Sequence, residues 1–548
     1  MSEAVRIDYL VVGAGPAGIQ AAYYLDRAGR DYLAVEAGEA PGTFFTRFPR
    51  HRKLISINKV HTGWDDPELN LRNDWNSLLS DEGGPLFTSV TPRYFPGADD
   101  MVGYLADFAA THRLRIRYGS RLTRISRQPG RAGGPAGDFE AVDQHGTVFR
   151  AARLIMATGV SKAHVPPIEG VELAERYDEM PVDPAGFTGQ RVLIIGRGNS
   201  AFETADNLVE TAAVIHMAGP GTLRLAWQTH FVGHLRAVNN NFLDTYQLKS
   251  QNALLDGEIL RITRSVEDGR YLVAVKFARV NEVVKEISYD RVILATGFRF
   301  DASVFAAEIR PELTIKDRFP AQTDAWESTN TPDLYFAGTI TQVRDFKKST
   351  SGFIHGFRYG VRALHRILEQ RYHDRPWPHR DLPAAPEEIA DAVLTRVNRS
   401  SALWQMFGFL GDAVVLTADP AEAGGSPSYT AGYYEEVPVD HLHRAVGEGT
   451  FGRVYRYLTV TLEYGADHDQ VNPFDISVSR VSQQDTGGLD GRYLHPVVRL
   501  FEQGKVLAEH HITENLENEW DSPEVHRAPL VRFLDGQLSP AGAPAESA

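Results

Sequence analysis

The stretch RIDYLVVGAGPAGIQAAYYLDRAGRDYLAVEAG, residues Arg6 to Gly38, decides the fold. Arg6 to Val12 is a short apolar, β-rich run, Gly13, Gly15 and Gly18 follow in the order G-x-G-x-x-G, and Ile19 to Ala28 reads as a helix. Each glycine has a physical task. Gly13 permits the tight turn, Gly15 lets the backbone approach a pyrophosphate, and Gly18 allows the helix to pack closely on the strand. Pro16 and Ala17, between the second and third glycines, are read as further cofactor contacts, with the phosphate at the helix N-terminus. The second strand, DYLAVEAG, ends at Glu36, where a carboxylate can accept hydrogen bonds from a ribose diol. Strand, turn, helix and acid together predict a Rossmann-like dinucleotide-binding domain.

A second unit repeats the logic. Arg191 to Ile195 reads as a strand, GRGNSA supplies Gly196, Arg197, Gly198, Asn199, Ser200 and Ala201, and a helix continues to Val209. Its second strand, Ala213 to Met217, ends near His216 with no carboxylate. An acid there would repel a 2′-phosphate, so the pattern favours NADPH over NADH, with Arg197 and Arg224 as candidate phosphate partners.

Two strands end alike, in ARLIMATG (Thr158, Gly159) and DRVILATG (Thr296, Gly297), as crossings between two lobes would. The predicted organisation is an FAD-binding domain, residues 1–165, interrupted by an NADPH-binding domain, 166–295, and resumed over 296–375 with TPDLYFAGT and Gly338. A helix beginning after RDFKKSTSGF would aim its positive end at the flavin, with Gly352, Phe353 and Ile354 at the flavin edge. The Pro-rich stretch PWPHRDLPAAPEE reads as a linker, a helix is expected near Ile389 to Phe409, residues 385–535 form a C-terminal α/β module, and 538–548 form a disordered tail. The fold class is therefore α/β, with two Rossmann-like domains, the second inserted in the first, and an appended α/β module.

Composition narrows the function classes. The 548 residues predict three or four domains, and 43% hydrophobic with 23% charged residues fits an ordinary globular enzyme. A formal charge of −14 argues against a nucleic-acid or anionic-membrane surface. No apolar run approaches the ~18 residues that span a bilayer, and the N-terminus runs straight into a strand, so a cytoplasmic location is expected. The chain has no cysteine. That removes disulfides, thiolate metal sites and any CxxC electron relay, so no metal site is expected, and electrons must leave to O2 or an external acceptor.

On FPRHRKLISINK (Phe48 to Lys59), LRNDWNSLL (Leu71 to Leu79), GRGNSAFETADN (Gly196 to Asn207), HFVGHLRAVNN (His230 to Asn240), LDTYQLKS (Leu243 to Ser250) and SGFIHGFRYGVRALH (Ser351 to His365), the chain resembles a flavoprotein family. It is the family that includes the endoplasmic-reticulum flavoprotein associated with degradation, within the wider flavin-containing monooxygenase group. The chain differs from those members in having no signal peptide, no cysteine and no KDEL-like tail, which points to a bacterial-type cytosolic enzyme. More loosely it is similar to bacterial monooxygenases that N-hydroxylate small amino acids, including those that turn aspartate into nitrosuccinate.

The resemblance implies FAD and NADPH as cofactors, and a small amino acid and O2 as substrates, with a homodimer allowed. It implies that Asn58 occupies the place of a loop asparagine near flavin C4a, where it would hydrogen-bond a C4a-hydroperoxide, and that Lys53, Trp75 and Asn76 are cofactor contacts. The histidine usual before the second glycine turn is replaced by Glu175 and Arg176, which weakens a Baeyer–Villiger reading. Trp75, Asn76, Trp227, His230, Asn239 and Asn240 suit a closed pocket. Arg236, Lys249, Arg344, Lys347 and Lys348 suit an acidic substrate. The expected function is FAD- and NADPH-dependent N-hydroxylation, set against an NADPH oxidase releasing hydrogen peroxide or an interaction protein with structural FAD.

Overall fold

Four consecutive buried residues, Tyr9 to Val12, place the first strand in the middle of a sheet covered on both faces, as parallel strands require. The computed structural model describes residues 4–129, 137–280, 283–418, 429–452, 454–482, 488–489 and 491–538. Of the tail 538–548, expected to be disordered, Leu538 ends a helix and the rest lies outside the described residues.

Strand β1 (Val5–Val12) pairs parallel with β2 (Tyr32–Val35) and, through β3 (Ile116–Arg117), β4 (Leu122–Arg127), β5 (Phe139–Asp143) and β6 (Val148–Met156), builds a sheet ordered β3-β2-β1-β6-β5-β4. Helix α1 (Pro16–Arg27) starts three residues earlier than the apolar periodicity suggested, because Pro16 suits the first helical turn.

The chain then leaves for a second sheet made of β7 (Glu175–Arg176), β8 (Arg191–Ile195), β9 (Val214–Gly219), β10 (Ala253–Arg264), β11 (Tyr271–Phe277), β12 (Val284–Tyr289) and β13 (Arg291–Leu294). Its order is β12-β11-β10-β9-β8-β13-β7, with β8, β9, β10, β13 and β7 parallel and β10-β11-β12 antiparallel. Helix α2 (Asn199–Leu208) covers one face. Ile194 packs with Phe202 and Met217 there, whereas its neighbour Leu193 packs with Ile259 and Tyr289 on the other face. Strand β14 (Leu334–Phe336) then returns to the first sheet, parallel to β6. The second sheet is thus an insertion in the first.

The chain divides into two compact units. One comprises Met1–Val60, Ser80–Ala321 and Ser328–Val343 and holds both sheets; the other comprises His61–Leu79, Gln322–Glu327 and Arg344–Ala548. In the second unit, helix α3 (Ile354–His373) precedes an antiparallel sheet ordered β15-β17-β16-β18-β19-β20, built from β15 (His379–Pro383), β16 (Leu410–Ala418), β17 (Tyr429–Pro438), β18 (Val454–Glu463), β19 (His495–Glu502) and β20 (Lys505–His511). The stretch read as a linker contributes β15, whose Pro383 is tolerated on an edge strand. Helices α4 (Pro386–Arg399) and α5 (Ala528–Leu538) pack on this sheet through Ile389, Val393, Leu530 and Leu534, with Trp520 in the same cluster. The helix expected to reach Phe409 stops at Ser400, whose hydroxyl accepts the Leu403 N–H and caps a separate short helix, Ser401–Gln405. Among the described residues no helix is long and apolar enough to cross a membrane.

Candidate functional site: two dinucleotide cradles

The first turn is tight for the reason its glycines suggested. Gly13 has φ +104°, and a Cβ on it would lie 2.8 Å from the Ala157 carbonyl oxygen. A Cβ on Gly18 would lie 1.9 Å from the Gly13 oxygen, so only glycine lets helix and turn meet. Gly15 differs. Nothing lies within 4 Å of its Cβ position, and no side chain caps the helix that starts beside it. An open space before an uncapped helix N-terminus fits a pyrophosphate.

Glu36 is buried and accepts the Ala14 N–H on Oε2 (2.7 Å) and the Gly38 N–H on Oε1 (2.9 Å), which fixes the carboxylate while each oxygen keeps a lone pair for a ribose hydroxyl. Thr158 and Gly159 follow β6, Gly159 with φ +62°. Gly338 packs against Ala17, where a Cβ would come within 2.6 Å of the alanine methyl.

The second turn matches the first. Gly196 has φ +138°, with a Cβ position 2.2 Å from the Ala295 oxygen, Gly198 opens on empty space, and no side chain caps α2. The backbone fixes which positions correspond. The Gly13 N–H donates to Val35 O (2.8 Å) and the Gly196 N–H to Ala218 O (2.9 Å), so the counterpart of Glu36 is Gly219. His216 therefore lies inside β9, not at its end. Its Nδ1 meets the Tyr289 hydroxyl at 2.8 Å, and burial followed by the Arg191 charge pushes the imidazole down to about 4, keeping it neutral. Arg197 is held by Gly221 O, Leu255 O and Asp256, and Arg224 is exposed.

Asn199, the first residue of α2, gathers the segment His230–Asn240. Its amide nitrogen donates to His234 O (2.8 Å), and its oxygen accepts the Arg236 N–H (3.0 Å) and the Asn239 amide (3.2 Å). Arg236 and Asn239, read as substrate contacts, thus sit over the second cradle. His230 has φ +55°, Asn240 Oδ1 is buried with no hydrogen-bond partner, and Lys249 is exposed.

The ends of the two crossings pair, Lys162–Ala163 against Phe298–Arg299, and the Thr296 hydroxyl donates to His164 O (2.5 Å), just before Gly297. A pocket lined by Ala163, His164, Tyr177, Ser200, Thr296 and Phe298 opens there, at the carboxyl ends of β8 and β13. From β8 the chain turns to β9 on one side, and β13 lies on the other. This is the switch point at which open α/β sheets bind ligands. The Tyr177 hydroxyl donates to Glu203 and accepts the Arg50 N–H at 3.3 Å. Burial, against the pull of that Tyr177 bond, pushes Glu203 up to about 7. Sequence reading missed this pair, because Glu203 looks like any helical acid until Tyr177 is folded against it.

Asn58 is buried. Its amide nitrogen donates to Thr91 O (2.7 Å) and Arg93 O (3.2 Å), which leaves Oδ1 buried without a partner. An acceptor therefore remains for a bound molecule, and a hydroperoxide O–H can donate to it. Lys53 is exposed, with Nζ 5.7 Å from the Phe95 ring centre.

Other residues read as site residues fall in the second unit. Trp75 stacks on His355 at 4.2 Å, Phe353 stacks on the same imidazole at 5.9 Å, Asn76 and Gly352 are buried, and Ile354 begins α3. Arg344 is an ion partner of Asp440 and lies between the rings of Trp326 (4.3 Å) and Phe409 (4.9 Å). Its Nη2 is held by Asp440. Lys347, with φ +61°, and Lys348 are exposed.

Comparison with known proteins agrees with this geometry. The family described as pyridine nucleotide-disulphide oxidoreductase matches residues 10–338. FAD-dependent oxidoreductase domain-containing protein 2 of Mus musculus is 38% identical over 574 residues, covering 97% of this chain and 84% of that protein. The chain belongs to the FAD-dependent oxidoreductase domain-containing protein 2 family. Members of this family are flavin-dependent oxidoreductases, and FAD and NADPH are the cofactors. Solved structures share the fold of about two thirds of the chain. A flavin-containing monooxygenase from Stenotrophomonas maltophilia superposes with a TM-score of 0.52 at 19% identity, over 67% of this chain and 99% of its own. A cadaverine monooxygenase of the desferrioxamine pathway from Erwinia amylovora superposes with a TM-score of 0.51 at 14% identity, over 67% of this chain and 95% of its own. This family member has the two cradles of a pyridine nucleotide-disulphide oxidoreductase and no cysteine.

Proposed function

We propose that the chain is a flavin-dependent NADPH monooxygenase of the class B type, with FAD in the first cradle and NADPH in the second, that hydroxylates the amino nitrogen of a small acidic amino acid such as aspartate, with further oxidation toward a nitro product. The observation that carries this reading is the pairing of two dinucleotide cradles with the absence of any thiol. Electrons taken from NADPH have no disulfide to reach. When bound, FAD supplies the two-electron acceptor that takes hydride from NADPH and returns the electrons to O2. The balance is R–NH3⁺ + O2 + NADPH → R–NHOH + NADP⁺ + H2O.

The chain's own groups suit this task. Asn58 Oδ1 is a buried acceptor held in place by two carbonyls, ready for an N–H or O–H of a bound molecule. The segment His230–Asn240, tied by Asn199 to the start of α2, would shield a dinucleotide bound there from water. Arg236, Lys249, Arg344, Lys347 and Lys348 are the candidates for the substrate carboxylate.

Asn58→Ala tests the assignment. The variant should keep NADPH oxidation while hydroxylated product falls about ten-fold and peroxide rises to match, the effect of losing one hydrogen bond near the upper end of its usual worth. Mass spectrometry of the amino acid with peroxide titration reads both. An unchanged ratio of product to peroxide would remove Asn58 from the mechanism.

A further inference from the structure

The corner of the second cradle where a ribose 2′-position would lie is built differently from that of the first. Gly219 stands where the first cradle has Glu36, and the stem of Arg197 fills the room beside it, with Cδ 3.2 Å and Nε 3.3 Å from the Gly219 Cβ position. Arg197 is the obvious cation, but the protein uses it. Its Nη1 donates to Gly221 O (2.7 Å), its Nη2 to Leu255 O (2.6 Å) and Asp256 Oδ1 (2.6 Å), and its Nε is buried. Asp256 lies directly opposite Gly219 in the β9–β10 register, so its carboxylate belongs to this corner. The other oxygen of Asp256 holds a second guanidinium, Arg279 Nε at 2.6 Å, from the turn that follows β11. Arg279 is 80% exposed, against 10% for Arg197.

We propose that Arg279, held beside Gly219 by Asp256, is the residue that contacts the 2′-phosphate and sets the preference for NADPH, while Arg197 is the internal strut of the corner. This rests on the proposed seating of NADPH in the second cradle. A guanidinium anchored through Nε keeps its two terminal nitrogens for the bidentate fork that phosphate favours. Gly219 offers no carboxylate to oppose it.

The test is equilibrium binding of adenosine 2′,5′-bisphosphate and of 5′-AMP to the flavin-loaded protein, in the unmodified chain and in Arg279→Ala, Arg279→Lys and Arg224→Ala. Arg279→Ala should weaken the bisphosphate by about ten-fold or more and 5′-AMP by less than about two-fold, with Arg279→Lys in between, because lysine restores charge without the fork. The ratio of kcat/KM for NADPH over NADH should fall in parallel, through KM. Equal weakening of both probes in Arg279→Ala, no weakening of either, or a loss carried by Arg224→Ala overturns the proposal. Unmodified protein that binds both probes equally has no 2′-phosphate site and overturns it too. Unmodified protein that binds neither overturns the seating of NADPH in this cradle, and the Arg279 contact with it.

Discussion

Gly15→Ala should yield a protein that folds as the unmodified chain does and purifies without flavin. Gly15 has φ −77° and ψ −176°, which any residue adopts, and an added methyl meets no protein atom within 4 Å. The apoprotein therefore has no reason to resist the substitution. The methyl instead fills the gap through which a pyrophosphate would approach the backbone at the start of α1. Loss of that approach should cost affinity on the order of a hundred-fold, about 2.7 kcal/mol. Gly18→Ala makes the contrast. Its Cβ would sit 1.9 Å from the Gly13 oxygen, so the turn itself must move, and stability should fall with flavin content. Flavin absorbance per mole of protein, with thermal melting of the apoproteins, separates the two. A Gly15→Ala protein with a full complement of FAD would show that the first cradle does not hold the pyrophosphate.

Asp412→Ala should destabilise the second unit by about 3 kcal/mol, the cost of leaving two buried donors without an acceptor and of taking the nearest carboxylate from a buried guanidinium. Asp412 is fully buried on β16 and accepts from Arg396 Nε (2.9 Å), the Tyr433 hydroxyl (3.0 Å) and the Glu436 N–H (2.9 Å). Arg396 comes from α4, and Glu436 is in turn held by Arg362 (2.6 Å) and Arg366 (3.5 Å) of α3. One carboxylate thus completes a network that joins two helices to the sheet. Its removal leaves a hydroxyl and a backbone N–H without their acceptor and takes from Arg396 its nearest carboxylate, leaving it the more distant Glu435 (3.4 Å) and Glu436 (3.7 Å). At roughly 2–4 °C per kcal/mol for a unit of this size, the melting transition should drop by about 10 °C. Asp412→Asn, which keeps an acceptor oxygen, should lose less. A shift of under about 2 °C for Asp412→Ala would mean that the network contributes little.

What the sequence made legible follows the range of the interactions. The glycine turns, their helices and Glu36 are specified within some thirty residues, and each landed where local geometry demanded. The corner of the second cradle did not. Which residue corresponds to Glu36 depends on the hydrogen bond from the Gly196 N–H to Ala218 O, and counting along the chain put that position at His216 instead of Gly219. Asp256 reaches the corner only because β10 pairs with β9, and Arg279 only because it meets Asp256. Arg344 looked like a free cation in a polar loop, and nothing local shows that Asp440, nearly a hundred residues on, takes it. Asn58 was recognisable as a candidate, but that it can only accept a hydrogen bond depends on the carbonyls of Thr91 and Arg93. Helix α4 ran shorter than its apolar pattern because Ser400 prefers to cap.

In a monooxygenase, electrons from NADPH reach O2 and one oxygen atom stays on the substrate, here an amine. The most direct measurement supplies ¹⁸O2, NADPH and a panel of small amino acids to the flavin-loaded protein, and counts labelled product, peroxide and NADPH together. Labelled oxygen is expected on an acidic amino acid, aspartate first, one atom at the first hydroxylation, with little peroxide for the NADPH consumed. If all NADPH is recovered as peroxide and no amine in the panel carries the label, the chain is an oxidase and the monooxygenase reading is wrong.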